Sequence, residues 1–145
     1  MKINQLSLFI ENKSGSLNAV CKVLAENNLS IITLSLADTE QFGIMRLIIE
    51  DWQKAKEVLE NAGFVVKVTE VVALPVDDSP GGLAALLSAL DANNINVEYM
   101  YAFTYKYNDK ALIVFRFEDT NSAVTALENS SIDTLSALEL FSQKS

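Results

Sequence analysis

The stretch Val76-Asp77-Asp78-Ser79-Pro80-Gly81-Gly82-Leu83 lies between an apolar run and a leucine-rich one, and its reading decides the fold. A weaker copy, Ile10-Glu11-Asn12-Lys13-Ser14-Gly15-Ser16-Leu17, stands 66 residues earlier. Both place glycine where a helix is about to begin. The repeat extends outward from there. Leu17, Val20, Cys21 and Leu24 correspond to Leu83, Leu86, Leu87 and Leu90, a spacing of i, i+3, i+4, i+7 that marks one helix face written twice. The helices stop alike, at Asn27-Asn28 and at Asn93-Asn94, and apolar residues then resume as strand.

Further along, the offset grows to 68, so that Glu50-Asp51 meets Glu118-Asp119 and Leu59-Glu60-Asn61 meets Leu127-Glu128-Asn129. The two extra residues fit a longer hairpin around Tyr107-Asn108-Asp109-Lys110, where Asn-Asp favours a turn. Before each Glu-Asp lies an alternating strand. Met45, Leu47 and Ile49 match Ile113, Phe115 and Phe117 on one apolar face, while Arg46 and Arg116 on the other faces predict less complete burial there.

Each half therefore reads strand, helix, strand, strand, helix, strand. The predicted elements are about 4–11, 15–27, 30–38, 43–50, 52–62 and 64–70, then about 71–77, 82–92, 95–106, 111–118, 120–129 and 133–141. Two split βαβ units in tandem predict an α+β fold: ferredoxin-like antiparallel sheets with helices on one face. The expected domains are 1–70 and 71–145. Phe64 to Val76 has no Gly-rich linker, so one long strand could serve both halves.

Composition narrows the function classes. The 145 residues are half apolar and carry a net charge of −8, with no Lys/Arg run, so duplex nucleic acid and anionic membrane are poor partners. The N-terminal segment is too polar for a signal peptide, and no window reaches the ~18 apolar residues of a membrane span. One cysteine excludes an internal disulfide, and the absence of histidine makes a zinc site a poor fit. A soluble cytoplasmic protein is expected.

The glycine loop has two readings. In the plainer one, glycine supplies the positive φ of a strand-to-helix turn, and Ser79-Pro80 resembles a cap followed by proline. In the other, two successive glycines, each costing ~1 kcal/mol against alanine in a helix, are offset by a ligand approaching the backbone. Helix N-termini offer N–H donors to a carboxylate. Asp78, or the amide of Asn12, would meet an ammonium or orient the loop. Donors beside an acceptor suit a zwitterion.

The order strand, Asp-x-Pro-Gly-x-Leu, apolar helix, Asn-x-Asn-Val, hairpin and second helix resembles the ACT domain, a small effector-binding module. The likeness covers essentially the whole chain as two copies. It implies a free amino acid bound between neighbouring domains, with no cofactor and no catalytic residue. By position, the implied contacts are Asn12, Ser14, Gly15, Ser16, Leu17, Ser30 and Ile31. Their second-copy counterparts are Asp78, Pro80, Gly81, Gly82, Leu83, Asn96 and Val97. The first copy departs from the pattern at Ser14 and Ser30, so one strong site and one weak or altered site are expected.

All four tyrosines fall within Tyr99–Tyr107 and share one strand face with Phe103. Packing is the simpler account, through pairing with the strand near Ile31 to Asp38 in a continuous eight-stranded sheet. In the alternative, Tyr99 and Tyr101 line the effector pocket. Cys21, matched to Leu87, reads as core, and Trp52 as an anchor. Asp77 and Asp78 are adjacent on an extended segment and converge poorly on a cation. An amino-acid sensor, acting on a metabolic enzyme in trans or through its own assembly, is the leading reading. An acylphosphatase-like hydrolase, which would want an arginine in its loop, and a ligand-free assembly module are the alternatives. Whether two chains form a homodimer is left open.

Overall fold

The computed structural model describes residues 2–38, 40–130, 132 and 137–142. They form two compact units, residues 4–69 and residues 1–3 with 70–145, here the first and second units. The elements are β1 (Lys2–Glu11), α1 (Ser16–Glu26), β2 (Thr33–Asp38), β3 (Phe42–Ile48), α2 (Trp52–Asn61), β4 (Val66–Val76), α3 (Gly82–Ala92), β5 (Val97–Ala102), β6 (Ala111–Phe117), α4 (Thr120–Asn129) and α5 (Ala137–Ser142). The predicted strands at 64–70 and 71–77 are one strand, β4, shared between the units.

In the first unit the strand order is β2-β3-β1-β4, with β3 antiparallel to both β1 and β2. Leu6, Leu8 and Ile10 of β1 and Met45, Leu47 and Ile49 form the apolar floor. Val20 and Leu24 of α1 and Ala55 and Leu59 of α2 close over it, which places both helices on one face. The second unit, ordered β4-β6-β5, repeats this floor and lid. Its cluster is Val72, Leu74, Val76, Leu86, Leu90, Ile113, Phe115, Phe117, Ala123 and Leu127. Every member sits 66 or 68 residues after its first-unit equivalent, in the register read from the sequence. Burying a Leu- or Phe-sized side chain contributes ~1.5–3 kcal/mol, so each unit carries its own drive to fold.

Local devices repeat with the core. Asp51 caps α2 by accepting from the Lys54 amide, and Asp119 caps α4 by accepting from the Ser122 amide at 3.1 Å. Asn27 and Asn93 each donate a side-chain hydrogen bond to the carbonyl four residues back, at Val23 and Ala89. Asn28 and Asn94 then turn the chain with φ of 56°. The longer hairpin takes the expected turn: Asn108 and Asp109 have φ of 49° and 64°, and Tyr107 and Lys110 bridge. Two consecutive positive φ values are the mirror-image turn that suits a twisted hairpin.

Three expectations are corrected. The final segment 133–141 is not a strand where it is described: residues 133–136 lie outside the described residues, and Ala137–Ser142 is helix. The run Ala-Leu-Glu-Leu-Phe-Ser has no β-branched residue, and its first four are good helix formers. Near the start of β1, Lys2 Nζ reaches Glu70 at 3.8 Å and hydrogen-bonds Asn121. Second, the less complete burial expected on the arginine faces holds in β3, where Ile44 and Arg46 are half-buried, but in β6 Leu112 and Val114 are as enclosed as Ile113 and Phe115. Arg116 keeps its charge satisfied by donating to the Glu70 carbonyl at 2.9 Å and to Thr120 Oγ1 at 3.0 Å, with Glu98 3.4 Å away. Third, β5 pairs with β6 and β2 with β3, and neither has another partner among the described residues, so the eight-stranded pairing is not formed.

Removing the Asp51 cap as Asp51→Ala is expected to cost about 1 kcal/mol in a urea melt. Asp119 makes a pH-dependent prediction. The hydroxyl and amide of Ser122 donate to its carboxylate and hold it below the usual carboxylate range. A carboxylate lowered by folding stabilises above its unfolded pKa and loses that contribution as pH falls through its folded value. The Tm gap between the parent chain and Asp119→Ala should therefore be full near neutrality and close as pH drops below about 4. A gap unchanged in acid would contradict the assignment.

Candidate functional site

Both predicted loops turn from strand to helix through a glycine in the left-handed region, Gly15 at φ 90° and Gly81 at φ 88°. Neither α1 nor α3 receives a side-chain cap, whereas α2 and α4 both do. An added Cβ at Gly15 or Gly81 would meet nothing within 4 Å. The starts of α1 and α3 are thus bare and open in front.

Gly82 is different. A Cβ there would lie 2.0 Å from the Asp77 carbonyl oxygen, so the missing side chain makes room for the protein's own backbone. The double glycine has two causes, one conformational and one of close packing. In the first unit Ser16 holds the equivalent place, with its amide donating to the Lys13 carbonyl at 3.3 Å, against 3.0 Å for Gly82 to Ser79. The second loop is the tighter one.

The sequence-derived residues fall in three places. Asn12, Ser14, Gly15, Ser16 and Leu17 adjoin one another at the start of α1, as do Asp78, Pro80, Gly81, Gly82 and Leu83 at the start of α3. Ser30 and Ile31, and likewise Asn96 and Val97, follow the far ends of those helices. Eleven helical residues span ~16 Å, so within one unit they do not meet the loop. Ile31 and Val97 pack instead against the cores. Tyr99 and Tyr101 pair in register with Arg116 and Val114, on the strand face away from the Ile113-Phe115-Phe117 surface that α3 covers. Phe103 and Tyr105 stack edge-on at 5.7 Å, and burial pushes the Tyr105 hydroxyl above its usual pKa.

The structure brings other residues to the loops. Because β1 and β2 both run antiparallel to β3, the end of β2 arrives beside the first loop. Leu36, Asp38 and Gly43 line a small cleft of about 60 Å³ with Asn12, Ser16 and Leu17. A groove of about 480 Å³ also adjoins the loop, lined by residues that include Ile10, Ser14, Gly15, Ala19 and Phe64. Glu11 and Lys13 pair across its mouth at 2.9 Å. The repeat makes the same groove again from Pro75, Val76, Asp77, Gly82, Ala85 and Ile132, but at about 290 Å³.

In the second unit, lysines from the longer hairpin occupy the loop's acids. Lys106 Nζ lies 2.6 Å from Asp78 and Lys110 Nζ 3.4 Å from Asp77. The hydrogen bond to Asp78 raises the Lys106 pKa. In the first hairpin the Asn12 amide donates to the Gln41 carbonyl at 2.9 Å. Sequence reading placed the two-residue insertion but not these lysines, because only the antiparallel register shows that the hairpin tip overhangs the loop.

A family model described as an ACT domain pair matches residues 1–142. The chain belongs to this family. Among solved structures, a protein of Bacteroides thetaiotaomicron is 37% identical with a TM-score of 0.90, covering 97% of this chain and 96% of that one. The regulatory subunit of aspartate kinase from Thermus thermophilus, in its ligand-free form, has the same fold at 17% identity and a TM-score of 0.61, with 87% and 91% covered. The aspartate kinase of Clostridium acetobutylicum aligns at 14% identity and a TM-score of 0.52, over 87% of this chain and 32% of that one. No curated protein matches the sequence. Among the described residues of this ACT domain pair, no cluster of His, Cys, Asp and Glu could hold a metal, and no helix is long and apolar enough to cross a membrane.

The three glycines make separable predictions. Gly15→Ala and Gly81→Ala should each cost about 1–2 kcal/mol, the price of a left-handed L-residue. Gly82→Ala should cost more, because the Asp77 carbonyl must move. Equal losses at Gly81 and Gly82 in urea melts would contradict the close-packing account.

Proposed function

We propose that this ACT domain pair is a regulatory module that binds a free amino acid at a glycine loop. It performs no chemistry on the ligand, and it passes the binding event to a metabolic enzyme in trans or to its own assembly. The observation that carries this reading is the contrast between helix starts. α2 and α4 are capped by aspartates, while α1 and α3 begin uncapped, at glycines with open space before them. Backbone N–H groups and the helix dipole favour an anion such as an α-carboxylate at that position. Family membership supports the same role, and the fold shared with a regulatory subunit of aspartate kinase supplies the analogy for action in trans.

Arg46 and Arg116 lie within β3 and β6, and neither glycine loop contains an arginine. The hydrolase alternative therefore lacks the loop cation it would want.

The test is thermal melting against each common amino acid at millimolar concentration. A ligand at 100 times its Kd stabilises by ~2.7 kcal/mol, an expected rise of about 5–10 °C for a chain of this size. No shift with any of them would remove the amino-acid reading and favour an assembly module.

A further inference from the structure

We infer that the tip of the β5–β6 hairpin, Tyr107–Lys110, is a latch over the second glycine loop, shut by two lysine pairs and able to swing on the three residues before it. The inference goes beyond the reading above and holds whether or not the loop takes an amino acid.

The two extra residues of this hairpin locate the hinge. The Phe103 amide donates to the Leu112 carbonyl at 2.8 Å, and the next rung is the mutual pair of Tyr107 and Lys110, at 3.0 and 2.9 Å. Between these rungs the outgoing arm has three residues, Thr104, Tyr105 and Lys106, and the return arm has one, Ala111. Among the described residues, none of the three outgoing amides donates a backbone hydrogen bond, whereas Ala111 is held in register by Val76 of β4. One arm is anchored and the other slack, so the tip can pivot. In the first unit a backbone bond, from Asn12 to Gln41, ties hairpin to loop. Among the described residues of the second unit, no backbone bond joins the two.

Charge takes the place of that bond. Lys106 reaches Asp78 from one side of the tip and Lys110 reaches Asp77 from the other, so each pair joins hairpin to loop. The Glu11–Lys13 pair, by contrast, lies within one loop and joins no second element. All four groups of the latch are exposed, so each pair is weak and screened by salt. Asp109 in the tip also attracts Lys106, a second carboxylate for its ammonium when it leaves Asp78. An independent observation opposes closure. The Tyr105 hydroxyl, on the slack arm, is enclosed and has no hydrogen-bond partner among the described residues. A hydroxyl that has left water without finding a partner costs about as much as two such pairs contribute. The latch is therefore shut by a small margin, as a moving element requires. On the reading above, an ammonium arriving at Asp78 takes the place of Lys106 and frees the tip.

The test is hydrogen exchange of the ligand-free full chain, followed by NMR as protection relative to each amide's intrinsic rate. The loop variant Asp77→Asn/Asp78→Asn should lower protection of the Tyr107 and Lys110 amides about two- to ten-fold and leave the Phe103 amide, below the hinge, within about two-fold. Tyr105→Phe removes the partnerless oxygen and should raise protection at Tyr107 and Lys110 about two-fold or more. Molar salt should act on the parent as the loop substitutions do, and leave the loop variant unmoved. Should the paired Asn substitutions disturb the loop itself, Lys106→Met breaks the shorter pair from the hairpin side, with the same expected sign. Protection at Tyr107 and Lys110 that ignores salt, the loop variant and Lys106→Met would overturn the latch. So would a Phe103 amide that loses protection in step, or a Tyr105→Phe chain less protected at the tip than the parent. These measurements use no ligand, so their failure leaves the amino-acid reading standing, and silence in the melting panel leaves the latch standing.

Discussion

One constraint organises each unit: a strand must turn into a helix so that the helix's apolar stripe lands on the strand's own apolar face. In the first unit, Leu6, Leu8 and Ile10 point toward Val20 and Leu24; in the second, Val72, Leu74 and Val76 point toward Leu86 and Leu90. A left-handed glycine makes that turn, and a side chain there would add strain. The same geometry leaves the helix start without a side-chain cap.

The repeat shows how differently cores and loops respond to divergence. Ten buried positions keep their register through the duplication, with only apolar exchanges such as Met45 for Ile113 and Leu47 for Phe115. Cores accept such exchanges when volume and pattern are kept. The loops have diverged in charge as well as shape. Glu11-Asn12-Lys13 became Asp77-Asp78-Ser79, and the lysine that balances the acids moved from the loop to the hairpin. Both loops keep their acids paired with lysine, from within the loop in the first unit and from the hairpin in the second.

The fold was legible because periodicity reports burial directly. Helical spacing at Val20 and Leu24 and alternation at Met45-Leu47-Ile49 needed no tertiary information, although Leu17 on the same spacing is left exposed, and the two-residue shift in register located the longer hairpin. What escaped was set by contacts between distant segments. Nothing local tells that Gly82 is small because the Asp77 carbonyl needs its space. Nor does sequence show that Lys106 overhangs Asp78, or that the end of β2 lies nearer the loop than its beginning. The strand expected near the C-terminus failed for a local reason: Ala137–Ser142 has helical propensity, and alternation there was weak evidence.

The central claim is that backbone amides at the start of a helix that follows a glycine loop hold the ligand's carboxylate. Amide shifts in a heteronuclear NMR titration of this 15.9 kDa chain with the common amino acids report on it residue by residue. The account predicts saturable shifts among Gly15, Ser16 and Leu17 or among Gly81, Gly82 and Leu83. Saturable binding that leaves the amides of both loops unmoved would contradict it.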